Sequence, residues 1–185
     1  MLNNPETWRL LVTIIAAAVS IVAARFAWVA AKRARVVQVL TFLQKTYTDI
    51  RAWADQVVEA MSEATLLCDL DPQKTTSPDF FARRHQLRVK LSTLIDRGRW
   101  FFPNTHHEQV GIHNHTAYRG IRPAAMDAVV AVFDLVGSLD YKLQAPNVSR
   151  RSLIVDHKRQ FVSEIQNVLD PRERETEMEV VRGDI

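Results

Sequence analysis

The first apolar pattern in the chain is an unbroken run from Leu10 to Ala31, followed directly by the basic stretch Lys32–Arg35. The run contains neither proline nor glycine, and its one charged residue is Arg25. Trp8 and Trp28 lie twenty positions apart, which in a helix is about 30 Å, the thickness of a hydrocarbon core. Because tryptophan favours both membrane interfaces, the pattern predicts a single transmembrane helix.

The charges on either side of this run predict how it crosses the membrane. Lys32, Arg33 and Arg35 follow the run, whereas Arg9 is the only basic residue before it. Basic residues favour the cytoplasmic flank, so we expect the N-terminus outside and the rest of the chain in the cytoplasm. The single cysteine, Cys68, agrees, because a chain in a reducing compartment needs no disulfide. A cleaved signal peptide would carry its charges before the run and a buried core helix would be shorter, so a true span is favoured.

From Val36 onward the apolar residues recur at alternating intervals of four and three. This spacing is typical of a coiled-coil or helix-bundle seam. Further apolar residues beside the seam, among them Trp53, favour a bundle over a bare two-stranded coil. The pattern predicts one helix that runs from the membrane to about Leu70 and ends at Asp71-Pro72. The seam positions are Val36, Leu40, Leu43, Tyr47, Ile50, Ala54, Val57, Met61, Ala64 and Cys68.

Three more helices are predicted after a polar linker. The second has Ser77 as its N-cap and Pro78 at its first position. The third begins at Pro123, and the fourth starts after Pro146-Asn147 and ends at Asp170-Pro171. Strands are not expected, because no apolar run alternates and only five glycines are present. The predicted fold is all-α: an N-terminal single transmembrane helix continuing into a cytosolic antiparallel helical bundle.

These elements divide the chain into three parts. Residues 1–35 form the transmembrane anchor with its basic cytoplasmic flank, residues 36–170 the cytosolic bundle, and residues 171–185 a charged flexible tail. The bundle is long enough to build its own core. The net charge of +3 is small, so general nucleic-acid binding is not expected. No phosphate loop, zinc-protease motif or nucleophile motif is present, and we therefore expect no enzyme.

The segment from Gly98 to Pro123 carries the residues that suggest a site. A bundle connection of about twenty residues without periodicity is long, and such loops are usually functional or disordered. Trp100, Phe101, Phe102 and Tyr118 favour an ordered loop, because aromatic rings bury large areas when they pack.

Four arginines flank this loop and are candidate ligand-binding residues. Brought together by the fold, their guanidinium groups would bind a phosphate, a nucleotide or a lipid headgroup through paired N–H donors. The alternative is local pairing with Asp96, Glu108 and Asp127, which leaves no ligand site. The four candidates are Arg97, Arg99, Arg119 and Arg122.

Four of the six histidines lie in the same loop. Neutral imidazoles bind Zn²⁺, Ni²⁺ and Cu²⁺, and Glu108 beside them would be placed to act on metal-bound water. Their spacing fits no established zinc motif, and an exposed, solvated loop without any cofactor explains them equally well. The candidate metal ligands are His106, His107, His113 and His115.

Two stretches around the loop, LIDRGRWFFPN and AYRGIRPAAMD, resemble a segment of bacterial proteins that pair a membrane segment with a small helical domain. The resemblance covers roughly residues 91–127 and brings no activity with it. It implies that Gly98-Arg99, Phe102-Pro103-Asn104 and Tyr118-Arg119-Gly120 act as one structural unit, while the histidines fall in a part of variable length. With the charge pattern, it makes a bacterial inner membrane, crossed once, the expected location.

Three hypotheses about function follow. The first is an interaction or sensory module held at the lipid bilayer, working as a homo-oligomer or bound to another membrane or cytosolic protein. The long seam supports it, as do the small residues Ala16, Ser20 and Ala24, which let helix backbones approach closely in lipid. The alternative is a membrane effector or sensor that binds an anionic ligand at the arginine-flanked loop 97–122. A histidine-loop metal-binding protein ranks third.

Overall fold

The structure, a computed structural model, describes residues 5–142, 144–170 and 172. Within them the chain folds into helices, without a β-strand, and the predicted all-α class is confirmed. A 3-10 turn, Thr116–Tyr118, lies between the second and third helices. The predicted tail, 171–185, falls outside the described residues apart from Arg172. The four α-helices are α1 (Pro5–Cys68), α2 (Ser77–Phe101), α3 (Ala124–Gly137) and α4 (Gln144–Leu169).

Helix α1 is the long apolar N-terminal helix that the sequence predicts. It begins at Pro5, whose fixed φ suits the first helical turn, and ends at Cys68. None of the side chains in its most apolar stretch is buried. Of the helices in the described residues, it alone is long and apolar enough to cross a membrane.

The chain divides into two compact units, with a boundary between Thr46 and Tyr47. The second unit therefore begins about three helical turns beyond Val36, the predicted start of the bundle. In this unit every seam position from Ile50 to Cys68 is buried. The earlier seam positions, Val36, Leu40, Leu43 and Tyr47, are half-buried.

The core of the second unit is built around Trp53 on α1. Its indole Nε1 donates to the carbonyl oxygen of Leu94 on α2 at 2.9 Å. The ring centroid lies 5.6 Å from that of Phe161 on α4. Phe101 and Phe102, at the end of α2, pack on the same indole with centroid distances of 6.0 and 5.5 Å. These contacts join three helices beside the loop that follows α2.

Gly98 lies buried inside α2, where a glycine ordinarily weakens a helix. A Cβ at this position would lie 2.5 Å from Trp53 Cζ2 and 2.6 Å from Met126 Sδ of α3. The missing side chain therefore lets α1 and α3 close onto the last turns of α2. Since α2 continues to Phe101, the connection placed at Gly98 by the sequence begins only at Phe102.

Helix α4 begins about one turn earlier than predicted, at Gln144. Its first turn accommodates Pro146, because the N–H that proline lacks has no helical acceptor there. Asn147 is buried and holds the preceding connection: its Oδ1 accepts from Asp140 N–H at 3.2 Å, and its Nδ2 donates to Asp140 O at 2.6 Å.

Two apolar residues of α4 that its helical pattern predicts to be buried are exposed. Leu153 is 49% exposed and Val168 is 37% exposed, whereas Ile154, the neighbour of Leu153, is completely buried. The buried stripe continues from Ile154 to Phe161 and Ile165 at helical spacing. Leu153 precedes that stripe by one residue, which rotates its side chain by about 100° toward solvent.

Candidate functional site

The connection between α2 and α3, residues 102–123, is closed at its base by a short backbone pairing. Thr105 N–H donates to Ile121 O at 2.9 Å, and Ile121 N–H donates to Thr105 O at 2.7 Å. Gly120, beside this pair, has φ +90° and donates its N–H to Val110 O at 2.8 Å. A Cβ at Gly120 would collide with Thr105 O, so both the φ value and the close approach require glycine.

Arg99 fastens the loop to the last turn of α2. Its Nη1 donates to Ala117 O at 3.2 Å, and its guanidinium lies over the Tyr118 ring, 4.3 Å from the centroid. Its Nε lies 3.8 Å from Asp96 Oδ1, too far for a hydrogen bond. Among the described residues it is the one buried side-chain donor without an acceptor. Since such donors are rare in folded proteins, the Arg99 guanidinium is the first candidate for a ligand contact.

Arg119 lies within the loop itself. Its Nε donates to Asn114 O at 2.8 Å, and its backbone carbonyl accepts from Asn104 Nδ2 at 2.8 Å. The segments that contain Arg99, Asn104 and Arg119 therefore lie against one another, in the arrangement that the sequence resemblance implies. The resemblance to a bacterial family itself stays a prediction.

A groove of about 430 Å³ opens between this loop and the end of α2. Its volume is in the range of small-molecule sites. Arg99, Arg119 and His107 line it, together with one carboxylate, Asp96, and the exposed ring of Trp100. The remaining lining residues are Pro103, Asn104, Thr116, Ala117 and Tyr118.

The other two candidate arginines make local contacts away from the groove. Arg97 Nη1 donates to Gln56 Oε1 on α1 at 3.1 Å. Arg122 Nε lies 2.7 Å from Asp127 Oδ1, an exposed ion pair at the start of α3. For Arg122 the structure thus places the side chain in the local pairing that the sequence left as an alternative. Two arginines out of four remain at the groove.

The four loop histidines are spread along the exposed loop. His107 lines the groove, and His106 has φ 55° with its ring Nδ1 3.2 Å from Thr105 Oγ1. His113 and His115 are exposed. In the part of the chain that the structure describes, no three His, Cys, Asp or Glu side chains lie close enough to hold one metal ion. Metal binding at these residues stays a prediction.

Cys68, the chain's single thiol, lies in the core at the end of α1. Its Sγ donates to Ala64 O at 3.3 Å. Burial raises the pKa of the thiol to about 11, and the neighbouring Asp69 carboxylate also raises it. A thiol that stays protonated at neutral pH is a poor nucleophile, so packing is the role that its surroundings favour.

A second groove, of about 460 Å³, lies between the end of α1 and the start of α2. Leu66 and Leu67 form part of its apolar wall. At its rim Lys90 Nζ lies 2.9 Å from Glu63 Oε1 and 3.5 Å from Glu59 Oε1. Lys90 is therefore already paired with two carboxylates, and Arg83 is the lining cation without an ion pair among the described residues.

The sequence does not mark Trp100, Asp96 or Asn104 as site residues. It groups Trp100 with aromatic rings that are expected to pack, yet Trp100 is 76% exposed. A signal was present in the spacing: Asp96 and Trp100 are four residues apart and therefore share one face of α2.

Comparison with known proteins assigns no family. No family model, no curated protein and no solved structure matches the chain. Function is therefore inferred from the residues of this chain.

Proposed function

We propose that the protein is a single-span membrane protein whose helical second unit is a cytoplasmic interaction or sensory module. The observation that carries this proposal is the apolar run Leu10–Ala31, whose most apolar stretch has no buried side chain. Leaving a large apolar side chain in water costs about 1.5–3 kcal/mol relative to burial. A bilayer removes that cost, and the large hydrophobic side chains from Leu10 to Trp28 are exposed among the described residues.

The basic residues after the apolar run support an orientation, and a short helix connection supports a bundle. We place the N-terminus outside and the second unit in the cytoplasm of a bacterial inner membrane, because the basic stretch Lys32–Arg35 favours the inner face. Lys32 Nζ lies 5.2 Å from the Trp28 ring centroid, a pairing suited to the headgroup region. The short connection from Gly137 to Gln144 favours antiparallel neighbours in a bundle.

Membrane fractionation and a C-terminal reporter test this proposal together. We expect the protein to stay in the membrane pellet after alkaline carbonate washing. A C-terminal alkaline phosphatase fusion, which is active only outside the cytoplasm, should be inactive, and a C-terminal fluorescent protein should fold. Release by carbonate contradicts the span, whereas an active phosphatase contradicts only the orientation.

We further propose that the protein self-associates through the part of α1 between the span and the second unit. Val37, Val39 and Phe42 are exposed there, next to the half-buried seam positions. Tethering in one membrane raises the effective concentration of copies of the chain for one another. A second copy is therefore the partner that this surface meets most often.

The mass of the protein in nanodiscs tests self-association. We expect an oligomer for the natural chain and a monomer after Val39→Glu with Phe42→Glu. Phe81→Glu on α2, which also places a carboxylate at an exposed ring position, is the matched control and should leave the mass unchanged. A natural chain that is strictly monomeric overturns the oligomer and leaves the anchor in place.

A second function is the binding of a phosphate-bearing ligand at the loop groove. It is favoured by the hydrogen bonding of Arg99 and Arg119, the two arginines that line the groove. Arg99 uses Nη1 for Ala117 O, and Arg119 uses Nε for Asn114 O. Arg99 Nε is buried without a hydrogen-bond acceptor, 3.8 Å from Asp96 Oδ1, and Arg119 makes no further side-chain hydrogen bond within the described residues. Guanidinium groups bind phosphate oxygens through such paired donors, whether the phosphate is free or part of a lipid headgroup.

Equilibrium binding of inorganic phosphate and of glycerol phosphate to the full chain tests this second function. Arg119→Gln should weaken binding by roughly ten- to a hundredfold, since a hydrogen bond to a charged group contributes about 1.5–3 kcal/mol. Arg97→Gln removes a guanidinium that lies outside the groove and should change nothing. Equal losses in both variants would contradict the assignment, and preference for glycerol phosphate would point to a lipid headgroup.

A further inference from the structure

We propose that the loop groove is a nucleotide site, in which an aromatic base stacks on Trp100 and the phosphate is held by Arg99 and Arg119. This inference rests on the anion-binding function proposed for the same groove and names the class of its ligand.

Trp100 is the residue that points to a base. Three aromatic residues stand in a row at the end of α2, and two of them, Phe101 and Phe102, pack against Trp53. Trp100 turns the other way: it is the most exposed large hydrophobic side chain in the described part of the second unit, with no ring, cation or hydrogen-bond partner among the described contacts. A buried indole usually bonds its N–H and packs both faces, as Trp53 does. At Trp100 a large π-face is left open at the edge of a groove.

Arg99 supplies a fixed positive group beside this ring. Its guanidinium is held by the hydrogen bond to Ala117 O and by stacking on Tyr118. Only 14% of its side chain is exposed. Because the group is already ordered, it loses little further conformational entropy when a ligand binds. Arg119 also lines the groove, and its terminal nitrogens make no hydrogen bond among the described contacts.

Asp96 determines which end of the groove suits a base and which end suits a phosphate. Asp96 Oδ1 accepts from Tyr118 Oη at 3.4 Å and lies 3.8 Å from Arg99 Nε. Its carboxylate repels a phosphate but accepts further hydrogen bonds from N–H groups, as acidic side chains do from the amino group of cytosine. Asp96 and Trp100 lie on one face of α2, one turn apart. A nucleotide that places its base at this helix and its phosphate toward Arg119 satisfies Asp96, Trp100 and Arg119. Bases with an exocyclic amino group should be preferred over uracil, whose single ring N–H is flanked by two carbonyl oxygens that a carboxylate repels.

Simpler ligands leave part of the groove unused. Inorganic phosphate or a sugar phosphate occupies the arginines and leaves the open face of Trp100 in water. A nucleoside without phosphate uses the ring and leaves the guanidinium donors unpaired. Only a ligand with both a planar ring and a phosphate matches the two halves of the groove.

Calorimetric titration of the full chain in nanodiscs of zwitterionic lipid tests the inference with AMP, UMP, adenosine, ribose 5-phosphate and inorganic phosphate. We expect AMP to bind more tightly than ribose 5-phosphate, with UMP weaker than AMP. Trp100→Leu should weaken AMP roughly five- to a hundredfold, the fold-change equivalent of the stacking of one base on an aromatic ring. The same variant should leave ribose 5-phosphate unchanged, and Trp100→Phe, which retains a ring, should keep most of the AMP affinity.

The outcomes separate this inference from the function on which it rests. If AMP and ribose 5-phosphate bind equally and Trp100→Leu changes neither, the nucleotide is overturned and the anion site stands. If adenosine binds as tightly as AMP and Arg119→Gln has no effect, both are overturned, because the phosphate is not recognised. Absence of binding by every probe at millimolar concentration also overturns both. Circular dichroism of each variant establishes that a loss of binding is not a loss of fold.

Discussion

Two stretches of the same helix are apolar, yet only one of them is buried. In Leu10–Ala31 the apolar residues surround the helix on all sides, and none in its most apolar stretch is buried. In Ile50–Cys68 they follow one stripe, and that stripe forms the centre of the second unit's core. A one-sided stripe suits a bundle, whereas a helix that is apolar all round suits a bilayer. The distribution of apolar residues around the helix axis, more than their number, distinguishes the exposed stretch from the buried one.

The two stretches differ in their charged residues and not in their hydroxyls. In the first, Thr13 and Ser20 donate to the carbonyl oxygens of Arg9 and Ala16, each at 2.8 Å, so both hydroxyls are satisfied inside the helix, as a lipid environment requires. In the packed stretch Ser62 and Thr65 bond in the same way. That stretch, however, also turns charges to solvent. The exposed charged residues within it are Arg51, Asp55, Glu59 and Glu63, and Asp49 directly before it is exposed as well.

The largest expected effect is the loss of membrane insertion when charges are placed in the exposed stretch Leu10–Ala31. Ile15→Arg with Val19→Arg places two charges near the centre of the run, which should cost about 6 kcal/mol of insertion free energy in total. We expect the protein to leave the membrane pellet in carbonate extraction. Val37→Arg with Thr41→Arg, which has the same spacing on exposed positions beyond the run, should stay in the pellet. If both double variants behave alike, the contrast between the two stretches fails.

The next effect lies within the packed stretch. Met61 is completely buried and Leu66 is 66% exposed. Met61→Ala should lower the free energy of unfolding by about 2–5 kcal/mol, because it leaves a cavity in the core. Leu66→Ala should change it by less than about 1 kcal/mol. Urea denaturation of the full chain in detergent, followed by circular dichroism, measures both, and equal losses would contradict the one-sided stripe.

A smaller effect concerns how closely α2 approaches this stripe. Gly98→Ala should destabilise the second unit by about 1–3 kcal/mol, although alanine is the better helix former, because its Cβ meets Trp53 and Met126. Gly137→Ala is the matched control. There the nearest atoms belong to the flexible Arg88 side chain at 3.4 Å, and we expect no loss. A stabilised Gly98→Ala variant in thermal melts would mean that the helices have room to separate.

Much of the fold could be predicted because it depends on local patterns. The apolar run and the seam from Ile50 onward are confirmed as helical or buried features. Each is encoded by residues within a few turns of one another, so periodicity alone detects it.

The start of α2 is shifted by one residue: the N-cap is Thr76, whose Oγ1 accepts from Asp79 N–H at 3.3 Å, and the predicted cap Ser77 is the first helical residue. Leu153 shows what periodicity does not predict. It lies one residue before the buried stripe and is exposed. Its apolar side chain alone does not indicate on which side of the stripe's edge it lies.

The candidate site depended on contacts that periodicity does not contain. Arg99 meets Ala117 across eighteen residues because the loop closes at its base, and that closure requires the left-handed backbone of Gly120. The sequence named four arginines, but it could not separate the two that line the groove from those that pair elsewhere. The sequence also does not separate the exposed Trp100 from the packed Phe101 and Phe102, because all three are adjacent aromatic residues.

The smallest effect expected is at the solvent edge of the packed stretch, where Lys90 of α2 pairs with Glu63 of α1. Lys90→Met keeps most of the aliphatic stem and should lower the free energy of unfolding by less than about 1 kcal/mol at neutral pH, as for other exposed pairs. The hydrogen bond to Glu63 raises the pKa of Lys90 above 10.5. The pair's contribution is therefore complete below pH 10.5 and disappears as the pH rises through the folded-state pKa.

Urea denaturation of the natural chain and the Lys90→Met variant at neutral pH and above pH 11 measures this difference, which should shrink at the higher pH. Lys74→Met, whose ion pair with Asp71 is 3.9 Å long and more exposed, is the control and should show no measurable difference at either pH. A Lys90→Met loss as large as that of Met61→Ala would mean that the polar edge, rather than the apolar stripe, holds α1 against α2. The burial of the stripe predicts the opposite order, because removing core atoms costs several times more than breaking a hydrated ion pair.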